Sequence, residues 1–223
     1  MDQVPFAFER ERAYTRLVAL IFGGQLADGE PLSERKLAEQ LEIGRMPVRE
    51  ALRQLEQEGV IEVKPARGTF VRRLTREELA ETYRVREALE CLAAELAAAR
   101  GSSRELAISG ARLRIMAQDP KVFSAREIDD AGTDFHEALT TLAGNRVLGE
   151  TLRMLRRRSR LSFHLPRYFD DEVIHRTLAE HVGIFEAVDA REPEHASQLM
   201  RMHLRRGLEI RLKLDAASRE QRM

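Results

Sequence analysis

Apolar residues recur at helical spacing along most of the chain, and the breaks in that rhythm divide it into elements. From Phe8 to Leu26, the residues Ala13, Leu17, Leu20 and Ile21 share one face and predict a first helix, weakened at its end by Gly23-Gly24. Ala27 to Pro31 reads as a loop. Ser33 is an N-cap for a short helix with Leu37 and Leu41 on one face, closed by Ile43-Gly44. Pro47 pushes Met46 away from the α region and suits the first turn of a new helix near that point. In that helix Val48, Ala51, Leu52 and Leu55 form a stripe at i, i+3, i+4 and i+7.

Ile61 to Lys64 and Thr69 to Arg72 are short β-prone runs, and Pro65-Ala-Arg-Gly68 between them is turn material. Beyond Thr75, which forms a capping box with Glu78, no segment alternates with period two. Helices are expected at about 76–99, 103–117, 124–142, 145–163, 171–190 and 192–215. Gly101-Ser-Ser, Asp119-Pro, Gly144-Asn, Pro166 through Asp170 and Glu192-Pro separate them. The expected fold is mainly α: an N-terminal winged helix-turn-helix with a small β-hairpin wing at 8–73, a junction at 74–75, and a C-terminal antiparallel six-helix bundle at 76–215.

Arg45, Arg49 and Arg53 lie off the apolar stripe of the second short helix. Three arginines alone describe many solvated helix faces. Followed directly by a hairpin they describe a winged helix, whose recognition helix offers its N-terminal end to base edges and whose wing tip, here Arg67, reaches phosphate or minor groove. Lys+Arg of 37 balances Asp+Glu of 37, so any basic surface is local. The single cysteine, Cys91, excludes an intramolecular disulfide and suits a reducing, cytoplasmic setting. No apolar leader or membrane-length run is present, so neither a signal peptide nor a membrane span is expected.

At about 100° per residue, His181 falls within the stripe Ile174, Leu178, Phe185 and Val188. His203 lies with Leu199, Ile210 and Leu214, with Arg206 alongside, and His136 edges the stripe Ile128, Phe135, Leu139 and Leu142. His164, His175 and His195 read as surface residues. One histidine on an apolar face is usually a hydrogen-bonded core residue. Three on three helices predict an inward polar pocket, and imidazole is a common metal ligand. Arg86 and Glu90 share a stripe with Leu79, Tyr83, Ala93 and Ala97, distinct from the stripe Val85, Leu89, Leu92 and Leu96. They form either an intrahelical ion pair or part of a carboxylate-binding pocket.

Leu37-Ala38, Arg45-x-Pro-Val-Arg-Glu-Ala-Leu52, Leu55-Glu56-x-x-Gly59 and Arg67-Gly-Thr-Phe-Val71 resemble the DNA-binding domain of GntR-type bacterial transcriptional regulators. Gly44 departs from the Ser or Thr usual there. Arg86-x-x-x-Glu90, Phe135-His136-x-Ala-Leu139 with Gly144-Asn145, and the pair His181 and His203 resemble the FCD ligand-sensing domain of the FadR branch, and the six helices resemble its VanR subgroup. The resemblance implies a homodimeric regulator, by default a repressor, on a palindromic double-stranded operator contacted by Arg35, Arg45 and Arg49, with Arg67 and Gly68 in the wing. It further implies a small carboxylate effector, with Arg86, Asn145 and Arg206 as binding residues, and a divalent metal, zinc or nickel, on His136, His181 and His203.

The family's usual Asp ligand stands four residues before the first of these histidines, where this chain has Gly132. Asp130 and Asp134 fall on the opposite side of their helix, and Asp129 lies about 10 Å along the axis from His136. Two other readings remain: a metal-sensing regulator, and a metal-dependent hydrolase, which would need a general base that no acid beside these histidines supplies.

Overall fold

The apolar face of the first helix organises the N-terminal unit. The computed structural model describes residues 6–22, 25–26, 31–72, 74–161 and 171–220. Ala13, Leu17 and Ile21 of α1 (Phe6–Phe22) are fully buried, and α1 packs on α3 (Arg45–Gln57), whose Val48, Ala51 and Leu55 are buried in turn. Between them α2 (Glu34–Leu41) is capped by Ser33, whose Oγ accepts from Lys36 N. It closes one residue earlier than expected, at Glu42 in the left-handed region (φ 54°), and this puts Ile43 into the core. Gly44 is the N-cap of α3 without a side-chain bond. That helix starts at Arg45, so Met46 is helical despite preceding Pro47, and Pro47 occupies the first turn, where no N–H partner is needed.

The wing is a three-stranded antiparallel sheet in the order β1 (Pro31–Leu32), β3 (Gly68–Val71), β2 (Ile61–Lys64). β1 falls where the sequence suggested only a loop. Two residues carry no periodicity, and it is pairing with β3, Pro31 opposite Phe70 and Leu32 opposite Thr69, that makes them a strand. Proline is tolerated because the strand is an edge.

By packing, the chain divides into Met1–Glu77 with Arg157–His164, and Glu78–Arg156 with Leu165–Met223. Among the described residues no strand follows β3. Six helices follow: α4 (Arg76–Arg100), α5 (Arg104–Gln118), α6 (Ala125–Leu142), α7 (Arg146–Leu161), α8 (Asp171–Asp189) and α9 (Pro193–Glu220), with one 3-10 turn at Pro120–Val122. A capping box of Ser124 and Glu127 opens α6. α5, α6 and α8 pack together and α9 packs on α8. Of the two apolar stripes of α4, the one with Leu79, Tyr83, Ala93 and Ala97 is buried, whereas Val85 and Leu92 of the other are exposed. On α9 the buried apolar positions are Ala196, Met200 and Leu204, one residue along from the expected Leu199. The Gly23-Gly24 pair, residues 27–30, His164 and the break at 166–170 lie outside the described residues. No helix among those described is long and apolar enough to cross a membrane.

Close approach of α5 and α8 depends on Gly110, because a Cβ there would stand 2.6 Å from the Phe185 ring. Gly110→Ala should therefore cost about 1–3 kcal/mol, read as a lower urea midpoint at constant m-value. Gly149→Ala, whose Cβ would find its nearest neighbour at 3.7 Å, should leave the midpoint unchanged or raise it.

Candidate metal centre and nucleic-acid interface

Helical periodicity brings His136 of α6, His181 of α8 and His203 of α9 to one buried spot. One ring nitrogen from each lies within 4.8 Å of the others. His136 Nε2 and His181 Nε2 are 3.3 Å apart. Two donors 2.0–2.1 Å from a common tetrahedral centre would stand about 3.3 Å apart, so the pair has the span a small divalent ion needs. Among the described residues no carboxylate joins the cluster, and His181 Nδ1 is buried without a hydrogen-bond partner. Asp130 and Asp134 face Arg126 and Arg112 instead. A Cβ at Gly132 would lie 3.0 Å from His181 Cε1, so the site of the family's acid adjoins this ring.

Two buttressing carboxylates orient the imidazoles. His136 Nδ1 lies 2.8 Å from Glu90 Oε2, a short contact off the axis of an ideal N–H bond, and His203 Nδ1 is 3.0 Å from Glu180 Oε2. A carboxylate can only accept, so each contact places the ring proton on Nδ1 and leaves Nε2 unprotonated, with a lone pair available as a ligand. Glu90 is itself completely buried, held by Arg86 at 2.8 Å and Arg156 at 2.9 Å. Burial would raise its pKa, but Arg156, Arg86 and His136 outweigh that and hold the carboxyl well below its usual range. Glu180 accepts from Arg206 Nη2 at 2.6 Å and is likewise lowered, the bonds from His203 and Arg206 outweighing burial.

Two expected effector residues, Arg86 and Arg206, are thus held by carboxylates of the chain itself. The third, Asn145, is exposed, and its Oδ1 caps α7 by accepting from Leu148 N at 3.1 Å. Sequence reasoning missed Glu180, which adjoins His181 in the chain and so lies off the stripe that revealed it. It also missed Arg156, four residues beyond the buried Leu152, which turns inward to Glu90. The side chain of Arg160 lies outside the described residues.

In the first unit, Arg45 stands exposed at the start of α3 and among the described residues makes no ion pair. Arg49, one turn on, is held by Glu34 of α2, whereas Arg35 and Arg53 pair with Glu39 and Glu50 along their own helices. Arg67 is exposed in the turn between β2 and β3. Gly68 beside it has φ 108° and open space around it, so backbone conformation rather than crowding calls for glycine.

Comparison with known proteins adds the following. Residues 9–71 match the family of bacterial regulatory proteins, gntR family, and residues 81–206 match the FCD domain. The HTH-type transcriptional regulator YdhC of Bacillus subtilis is 31% identical over 195 residues, 85% of each chain. The HTH-type transcriptional repressor RspR of Escherichia coli is 27% identical, over 80% of this chain and 78% of its own. Among solved structures, E. coli McbR/YncC superposes with a TM-score of 0.79 at 22% identity, over 93% of this chain and 97% of its own, a likeness of fold. A GntR transcriptional regulator from Rhodococcus sp. RHA1 gives 0.70 at 27% identity, over 92% and 97%.

Burial lowers the pKa of His136 from 6.5 to about 4, against the pull of Glu90, and burial with the neighbouring His203 and His136 holds His181 well below its ordinary value. Below pH 6.5 the unfolded chain takes up these protons and the folded one does not. Their contribution to stability is therefore complete above pH 6.5 and is lost as pH falls towards about 4, with the Glu90 share following below its ordinary 4.5. Thermal melts of chelator-treated protein should show Tm falling across that window. A His136→Gln, His181→Gln variant should show a shallower fall, and equal slopes would refute the assignment.

Proposed function

The chain belongs to the GntR family of bacterial regulatory proteins, with an FCD domain after its helix-turn-helix, and on that premise we propose that it is a homodimeric repressor whose hold on DNA is set by a metal-dependent carboxylate sensor. Members of the family are transcriptional regulators and not enzymes, which removes the hydrolase reading. Residues 8–73 serve as the DNA-binding domain and 76–215 as the sensing and dimerisation domain. The observation that carries the proposal is the convergence of three buried histidines, two of them braced by ionised carboxylates.

In this reading His136, His181 and His203 hold zinc or nickel through ring nitrogens, the form that neutral imidazole offers. When bound, the metal supplies a positive centre with open positions for a small carboxylate. Glu90 and Glu180 fix the tautomers, and Arg86, Arg156 and Arg206 keep those carboxylates charged. Arg86 and Arg206 enter through the carboxylates they hold, and Asn145 as the cap of α7. Arg45 and Arg49 read base edges, guanine first, in successive major grooves of a palindromic operator. Arg35 and Arg67 meet phosphates, and Gly68 lets the wing backbone approach. Repression is supported by the names of two relatives, the E. coli repressor RspR and the probable D-xylose utilization operon transcriptional repressor of Paenarthrobacter nicotinovorans, the latter 31% identical over 84% of this chain and 82% of its own. The effector must bind the DNA-competent and DNA-incompetent states unequally, or it shifts nothing.

Protein purified without chelator should carry one divalent ion per chain by elemental analysis, and the His136→Ala, His181→Ala variant should carry none. Glu180→Gln, at a partly exposed site, should stay folded and bind metal about 10–100-fold more weakly. A metal-free wild type would refute the centre. Operator release should respond to small carboxylates only in metal-loaded protein. Release by metal alone, with no response to acids, would instead mark a metal sensor.

A further inference from the structure

We infer that Glu34 is a specificity-determining residue: it grips one edge of the Arg49 guanidinium, presents the other edge to operator bases, and so sets how well the protein tells its operator from other DNA. This rests on the reading that α3 enters the major groove.

Arg49 Nε lies 3.0 Å from both Glu34 carboxylate oxygens, and Nη2 lies 2.8 Å from Oε2. The grip uses the Nε side of the fork. It leaves the Nη1–Nη2 end, which can span two acceptors such as guanine O6 and N7. Among the described residues, Nη1 bonds only to the weak acceptor Met46 Sδ, at 3.9 Å. The side chains of Arg49 and Glu34 are 39% and 33% exposed, so the pair sits at the surface where DNA can reach it. Arg35 and Arg53, at 66% and 64% exposed, pair only within their own helices. Of these arginine pairs, the one with Glu34 joins α2 to α3, and it fixes a reading side chain relative to the whole motif.

An ion pair this exposed adds little to folding stability. Its effect lies in binding, where two consequences have opposite reach. Holding Arg49 in one rotamer removes an ordering cost, and the gain is realised only where a base pair accepts the guanidinium. The Glu34 carboxylate, kept ionised chiefly by its bond to Arg49 with help from Arg45 and Arg53, repels phosphates of any sequence. Together they favour the operator and disfavour everything else.

The test uses the full chain, a duplex selected by the wild-type protein from a randomised library, and a scrambled duplex of equal length at fixed salt. Glu34→Gln should bind the selected duplex about 3–10-fold more weakly and the scrambled duplex more tightly. Glu34→Asp, which keeps the charge but is too short for the grip, should lose affinity for the selected duplex without gaining on the scrambled one. In an Arg49→Ala background, Glu34→Gln should tighten both duplexes alike. If Glu34→Gln in the otherwise wild-type chain shifts both duplexes by one factor, or neither, the inference is overturned. If Arg49→Ala alone binds the selected duplex as the wild type does, the assignment of the recognition helix fails instead.

Discussion

An ionised carboxylate with no exposed surface must be neutralised where it stands, and Glu90 imposes that requirement on the helical unit. Its charge is met by Arg86 from the same helix, Arg156 from α7 and the His136 ring from α6. Three helices are thereby tied to one carboxylate. Losing both arginines would leave a buried charge uncompensated, which costs more than the pairs contribute when intact. The arrangement therefore fixes the angle at which His136 is presented, and a centre built on His136 inherits that precision.

Around this anchor the unit keeps its charges in layers. Imidazoles occupy the middle, carboxylates stand behind two of them, and guanidiniums stand behind the carboxylates. The overall balance of 37 basic and 37 acidic residues conceals this local order. The DNA-binding unit repeats the device at its surface, where a carboxylate of α2 steadies an arginine of α3.

What was legible beforehand followed from periodicity and punctuation. The helices of both units and the inward turn of the three histidines come from stripes at i, i+3 and i+4 separated by Gly, Pro and capping residues, and the wing from two β-prone runs around turn residues. What was not legible depends on contacts between elements distant in sequence. β1 exists only through its pairing with β3. Glu180 meets His203, 23 residues away, from a position no stripe marks, and Arg156 reaches Glu90 across 66 residues. Arg86 and Arg206 were recognised as inward charges, but a single chain read in order cannot reveal that their anionic partners are already within it.

Gly132 also limits how this protein can change. The Cβ that an acidic side chain would bring there stands 3.0 Å from the His181 ring, and that ring touches both other histidines. An aspartate at 132 would thus require His181 to yield, and with it the geometry of the pair at 3.3 Å. The two positions are therefore coupled: an acidic side chain at 132 calls for a compensating shift of His181 on α8.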